Sequence, residues 1–324
     1  MKLDTILTKR SFEHWPSYDL VYEWEDVLKE SFACLLEDER KILYNKYFKR
    51  IPLLPQLVQT SKSAFKFEMF PILKYRADNQ SNIIPCIIDY YLTDEHLSDF
   101  ISSYIRNKIV CISSKEVYDY LKNKGIDGKL NLVHFPLSIS DKYKVTKHTK
   151  FEKKYDLVLM GRQNPILKGF LDAYIKEHND FYYVYREQRG NEFLYYTSRG
   201  ECLGDINTRE KYIELMKQAK CGLYATPGID GGETRTNGFS QVTPRFLELI
   251  ACGCHVIARY KQNSDTDFYQ INKFSESIDD YESFERALDY ARNNPVDMNK
   301  YSIYLSNHYT SSRANLLSQI IKEL

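Results

Sequence analysis

At roughly 100 to 200 residues per domain, a chain of 324 residues is long enough for two cores. With 43% hydrophobic and 27% charged residues its composition is that of a folded globular protein, which sets aside disordered and fibrous classes. Lys and Arg number 45 against 44 Asp and Glu, so no overall positive field exists to hold a nucleic acid. The best apolar runs, IIPCIIDYYL and FLELIACGCHVIA, fall short of the about 20 residues that cross a bilayer.

The opening segment MKLDTILTKRSFEHW carries charges where a signal peptide needs its apolar stretch, so the expected location is the cytoplasm. Seven cysteines without a CxxC pair fit reduced, mostly buried thiols.

The stretch from Asp19 to Phe48 reads as an irregular helix. From Phe65 short apolar runs alternate with helical stretches: FKFEMF, IIPCIIDYYL, a helix over 94–107, then KIVCIS. Ser113 with Glu116 forms a capping box for the next helix, Gly125 closes it, and LVHFP is the following strand. His134 in that strand is expected to be a core histidine. Residues 138–154 are polar and basic, an interdomain connection with its boundary near 150.

The second half repeats the alternation: strand YDLVLMG, helix ILKGFLDAYIKEH, strand FYYVYR, helix TREKYIELMKQA, strand CGLYATP, helix PRFLELIAC, strand HVIARY. Such alternation implies doubly wound α/β domains, with ligands outside the carboxyl ends of the strands. The organisation expected is 1–150, 151–300, and a terminal amphipathic segment 301–324 crossing back to the first domain.

Two segments carry chemistry. In GRQNPILKG (161–169) Asn164 is placed to cap a helix beginning at Pro165, leaving Arg162 before the helix and Lys168 one turn inside it. Two cations and free helix amides suit a diphosphate; a solvated basic helix start is the alternative. In NGFSQVTPRFLELIACGCHVI (237–257) Thr243 and Pro244 open a short helix that Gly253 ends. Glu248 on that helix is suited to the hydroxyls of a ribose, or else to an ion pair with Arg245. Asp265 and Asp267 form a D-x-D, expected in a polar loop and not as a metal site. Asp89 and His96 in IIDYYLTDEH are candidates for a general base or sugar ligand, against capping or salt-bridged roles. No dinucleotide fingerprint, phosphate loop, HExxH or GxSxG elbow is present.

The two segments together resemble the nucleotide-sugar domain of GT-B type glycosyltransferases, particularly the large retaining group that uses sugar nucleotides. The resemblance implies two Rossmann-like domains facing across a cleft, the first binding the acceptor and the second the donor. It matches Arg162 and Lys168 to the residues that bind the donor diphosphate and Glu248 to the carboxylate on the ribose, and it places Asn237, Gly238, Phe239, Thr243 and Arg245 around the donor. The pattern departs from that group at Asn237, which stands where a Glu usually precedes Gly-Phe, eleven residues before Glu248. The stereochemical course therefore stays open.

The function so implied is a hexosyltransferase moving a sugar from a nucleotide-sugar, with UDP as the favoured base, to a glycan or lipid-linked acceptor in bacterial surface polysaccharide synthesis. No cofactor or metal is expected; peripheral contact with the inner membrane face is. The alternatives are a non-catalytic nucleotide-sugar-binding partner subunit and a nucleotide-sugar epimerase of the same architecture.

Overall fold

A computed structural model describes residues 2–8, 10, 16–39, 64–72, 80–90, 92–189, 192–231 and 236–324. The helical stretch expected up to Phe48 is helical over Pro16–Phe32, and its part beyond residue 39 lies outside the described residues. The chain divides into two compact units. One contains Leu20–Asp141 and Tyr309–Leu324 with the N-terminal strand, the other Lys142–His308.

In the first unit the strands are β1 (Lys2–Ile6), β2 (Leu35–Leu36), β3 (Ala64–Ile72), β4 (Ile83–Asp89), β5 (Val110–Ile112) and β6 (Leu132–His134). They form one parallel sheet in the order β2-β1-β3-β4-β5-β6. Six successive residues of β4, from Ile83 to Ile88, are buried, as expected of a parallel strand covered on both faces. Helix α1 (Pro16–Phe32) buries Trp24 and Leu28 against Phe65, Phe67, Ile84 and Ile88. Helices α2 (Leu97–Tyr104) and α3 (Lys115–Asn123) follow β4 and β5.

The cap of α3 is one residue later than the sequence suggests. Ser114 accepts the Val117 N–H at 3.3 Å, while the Ser113 hydroxyl donates to the Ile88 carbonyl at 2.8 Å. Two adjacent serines share the work because β4 lies within reach of only the first. His134 is held neutral by burial, which lowers its pKa to about 4.

In the second unit β7 (Tyr155–Val158), β8 (Tyr183–Arg189), β9 (Glu192–Thr197), β10 (Cys202–Asp205), β11 (Ala219–Ala225) and β12 (His255–Arg259) stand in the order β10-β9-β8-β7-β11-β12. The run β8-β7-β11-β12 is parallel, whereas β9 and β10 are antiparallel additions at one edge. That meander, in NEFLYYTSRGECLGD, is an element the alternation argument did not foresee. The core joins Leu157 and Leu159 of the β7 segment to Leu167, Leu171 and Tyr174 of α4 (Pro165–Glu177), and to Phe284 and Leu288 of a later helix, Tyr281–Asn293.

Helices α5 (Arg209–Lys217), α6 (Arg245–Ala251), α7 (Ser264–Phe268), α8 (Tyr281–Asn293) and α9 (Met298–Leu305) complete this unit. The D-x-D lies in α7 and not in a loop. Asp265 is fully buried and accepts the Val242 N–H at 2.6 Å, so its carboxylate ties two backbone segments together.

The last helix, α10 (Thr310–Lys322), belongs to the first unit. Ala314, Leu317, Ile320 and Ile321 join that unit's core. Buried Arg313 donates to the carbonyls of Pro136 and Leu137 at 2.9 and 3.2 Å, which satisfies a charge that would otherwise be costly to bury.

Candidate functional site

In the second unit the chain leaves β7 toward β8 on one side, then returns to β11 on the other. The carboxyl ends of β7 and β11 therefore flank the point where strand order reverses, the place where open α/β sheets bind ligands. The loop after β7 is GRQN (161–164). Asn164 caps α4, accepting the N–H groups of Ile166 and Leu167 at 3.0 and 3.1 Å, and Pro165 occupies the first turn. Arg162 is exposed just before this helix start. Lys168, one turn in, forms an i,i+4 pair with Asp172. Both residues are half-exposed, so this pair costs little to exchange for a stronger anion.

Three loops are bolted together beside that helix end. Asn164 Nδ2 donates to Asp230 Oδ2 at 2.8 Å, and Arg259 grips the same carboxylate bidentately through Nε and Nη2 at 2.7 and 2.9 Å. Arg259 Nη1 reaches on to Asp279 and to the Ile278 carbonyl. The Arg259 guanidinium, helped by Asn164, holds the Asp230 carboxyl below its ordinary pKa. Asp230 and Arg259 were not singled out from the sequence. Arg259 ends the HVIARY strand at the ligand edge, which was the available signal.

The backbone here is unusual in conformation. Asp230 and Asn237 have φ of 54° and 51°, in the left-handed region that Asn and Asp tolerate best. Such residues cluster where a loop is shaped for binding. Gly161 also has a positive φ, 65°, and a Cβ there would lie 2.2 Å from Arg245 Nη2. Arg245 Nη1 donates to the Arg162 carbonyl at 3.1 Å. Arg245 thus supports the post-β7 loop and sets the backbone that presents Arg162. Gly228 has a similar role on the other loop: a Cβ there would meet the Phe239 carbonyl oxygen at 2.3 Å, so the 226–231 and 236–240 segments touch through backbone.

The remaining donor candidates have distinct fates. Asn237 and Gly238 are exposed and Phe239 is half-buried, at the loop tip. Helix α6 starts at Arg245 with Pro244 at its cap and no side-chain cap bond, so Thr243 does not cap it; the Thr243 N–H is instead donated to the Tyr224 hydroxyl at 3.0 Å. Glu248 is 3% exposed, and its Oε1 lies 2.6 Å from Arg209 Nη2, both side chains being buried. Its ion-pair partner is therefore Arg209, at the start of α5, and not Arg245.

In the first unit Asp89 ends β4 and is half-buried, while His96 is exposed at the start of α2 with Nδ1 2.7 Å from the Thr93 hydroxyl. Among the described residues one set of side chains brings His and carboxylate ligand atoms within 4.8 Å: Glu177, His178 and Glu285. That set sits at the far end of α4 from Arg162, and neither Asp265 nor Asp267 belongs to it.

No protein-family description and no curated protein matches this chain by sequence. Solved structures do match its fold. A glycosyltransferase from Rickettsia africae is 10% identical with a TM-score of 0.53, covering 99% of this chain and 98% of that one. An α,α-trehalose-phosphate synthase (UDP-forming) from Burkholderia vietnamiensis is 10% identical with a TM-score of 0.52, covering 100% and 99%. TarM from S. aureus, in complex with fondaparinux, α-GlcNAc-glycerol and UDP, is 14% identical with a TM-score of 0.51, covering 83% and 57%. Against the first matches, TarM among them, the chain spans only 53–57% of the other protein's length. The chain has the GT-B glycosyltransferase fold, with two Rossmann-like α/β units.

Proposed function

We propose that the protein is a glycosyltransferase whose second unit binds a nucleotide-sugar through the carboxyl edge of its sheet. The observation that carries this reading is exposed Arg162 beside the Asn164-capped start of a 13-residue helix, at the strand-order reversal. The departing nucleoside diphosphate is a leaving group whose charge grows in the transition state. Arg162 supplies a bidentate donor, Lys168 a point charge once it exchanges Asp172, and α4 the positive end of its dipole, its first-turn amides being taken by Asn164. This field acts on the diphosphate without a metal. UDP is the favoured nucleotide, the one in complex with TarM and the one that the UDP-forming synthase yields.

The first unit is assigned the acceptor, with Asp89 and His96 as candidates for the base or for sugar contacts. The acceptor class we favour is a glycan or lipid-linked glycan of a bacterial surface polysaccharide, met in the cytoplasm or at the inner membrane face. Among the described residues no helix is long and apolar enough to cross a membrane.

UDP release from UDP-sugars with added glycan acceptors tests the proposal. Arg162→Ala and Lys168→Ala should each lower turnover by about 10² to 10³ while the fold persists. Unchanged turnover in a folded Arg162→Ala protein would refute it. A second reading, a binding subunit without catalysis, is favoured by Asn237 and by the Arg209 pair that occupies Glu248; nucleotide binding with no product under any donor and acceptor would select it.

A further inference from the structure

The opposite edge of the second unit's sheet carries a cavity of about 770 Å³. Its walls come from where the parallel strands begin. Lys153 precedes β7, Lys220 lies at the start of β11, and Gly253 and His255 open β12. Five residues of β12 and seven of β11, at about 3.3 Å each, separate this edge from Arg162 by roughly 15–25 Å. One ligand of ordinary size does not touch both.

The cavity is strongly basic. Two of its deeper cations are already matched by carboxylates, Lys220 with Asp156 at 2.7 Å and Arg292 with Asp180 at 2.6 Å. Others are not. Lys153 is half-buried, and its ammonium donates to the Cys252 carbonyl at 2.8 Å, with Cys254 Sγ at 3.9 Å. Burial pushes its pKa down, the mark of a cation lacking an adequate counter-charge. Lys147, His148 and Lys150 project from the 146–150 turn, exposed, and none makes an ion pair among the described residues. That turn is ordered by its own bonds: the Thr146 N–H donates to the Thr149 hydroxyl at 2.9 Å and the Thr149 N–H to the Thr146 carbonyl at 3.0 Å.

Asp297 is the one acidic residue lining the cavity among those described, and its Oδ1 is occupied by the N–H groups of Asn299 and Lys300 at 2.9 and 3.1 Å. Unmatched ammonium groups thus gather around a space far larger than a simple ion. Phe151 and Met298 supply an apolar wall, and the Lys153 ammonium stands 5.3 Å over the Phe151 ring.

We infer that this cavity is a second anion site that takes a phosphate-bearing ligand, the phosphate on Lys147, Lys150 and Lys153 and its organic part against Phe151 and Met298. The phosphate belongs either to a soluble ester or to a lipid headgroup. The inference does not depend on the donor reading, because the residues are different and lie at the other edge.

Two probes separate the sources: titration calorimetry with inorganic pyrophosphate in magnesium-free buffer, and sedimentation with phosphatidylcholine vesicles with or without phosphatidylglycerol. The variants are the triple Lys147→Ala/His148→Ala/Lys150→Ala, whose side chains are exposed, and Lys153→Met, which keeps the packing of the stem. Read in the Arg162→Ala background, which removes the donor-site share, pyrophosphate should still bind, and both cavity variants made in that background should bind it at least about tenfold more weakly. That result assigns a soluble ester. Capture on anionic vesicles alone, lost in the triple variant, assigns a lipid headgroup. Binding that is unchanged in the triple variant with either probe, no binding of either probe by wild type, or pyrophosphate binding lost in Arg162→Ala overturns the inference.

Discussion

Gly161→Ala probes how the candidate donor loop is built. The native φ of 65° costs an L-residue roughly 1–2 kcal/mol. The new methyl group would also stand 2.2 Å from Arg245 Nη2 and 3.2 Å from its Cζ, so the guanidinium must move. Its bond to the Arg162 carbonyl then breaks, at about 1–2 kcal/mol. The sum, about 2–4 kcal/mol, lowers the melting temperature of the second unit by about 5–15 °C at 2–4 °C per kcal/mol. In an Arg245→Ala background only the backbone part remains, so calorimetric melting of the four proteins should give a coupling of about 1–2 kcal/mol between the two positions. Equal cost of Gly161→Ala with and without Arg245 would refute the claim that Arg245 props this loop.

Glu248→Ala leaves Arg209 buried without its carboxylate and should destabilise by about 3–5 kcal/mol, whereas Arg209→Met/Glu248→Leu should be close to neutral; chemical denaturation distinguishes them. Glu25 is fully buried and burial raises its pKa to about 8, so the folded state holds a proton that the unfolded state releases near 4.5. Its contribution is present below that unfolded value and is lost as pH rises through about 8, so Glu25→Gln should gain melting temperature relative to wild type at pH 8 but not at pH 5. His134 acts with the opposite sign: its folded pKa of about 4 lies below the ordinary 6.5, so stability is lost as pH falls between them, and His134→Gln should flatten the acid limb of a melting profile. Cys202 is exposed while the other six cysteines are buried, so native alkylation read by mass spectrometry should add one label and denatured alkylation seven.

Local chemistry made much of this legible. Asn164 followed by Pro165 specified a helix start because capping needs only neighbours in sequence, and the structure has that cap. Gly125, at φ 70°, ends α3 for the same reason. The apolar strands declared a doubly wound sheet because parallel strands are buried on both faces. What failed depended on distance in sequence. Glu248 was weighed against Arg245, three residues away, but its partner Arg209 lies on another helix, and no periodicity relates the two. The same holds for the Asn164, Asp230 and Arg259 network, which joins three loops. The β9–β10 meander was hidden because its Tyr-rich, polar sequence lacks the continuous apolar run of the parallel strands. The D-x-D, expected in a polar loop, lies in a helix turn because Asn263 caps it and buried Asp265 holds Val242, contacts that its spacing does not encode.

The most direct test of the central claim is nucleotide binding at the Arg162 edge, followed by thermal shift with UDP, GDP, ADP, CMP and TDP, with and without magnesium. A ligand at a hundredfold excess over its Kd adds about 2.7 kcal/mol to apparent stability, well within reach of the method. The account predicts a shift with a nucleoside diphosphate, UDP foremost, that is independent of magnesium and abolished in Arg162→Ala. No shift with any of the five, or a shift that survives Arg162→Ala unchanged, contradicts it.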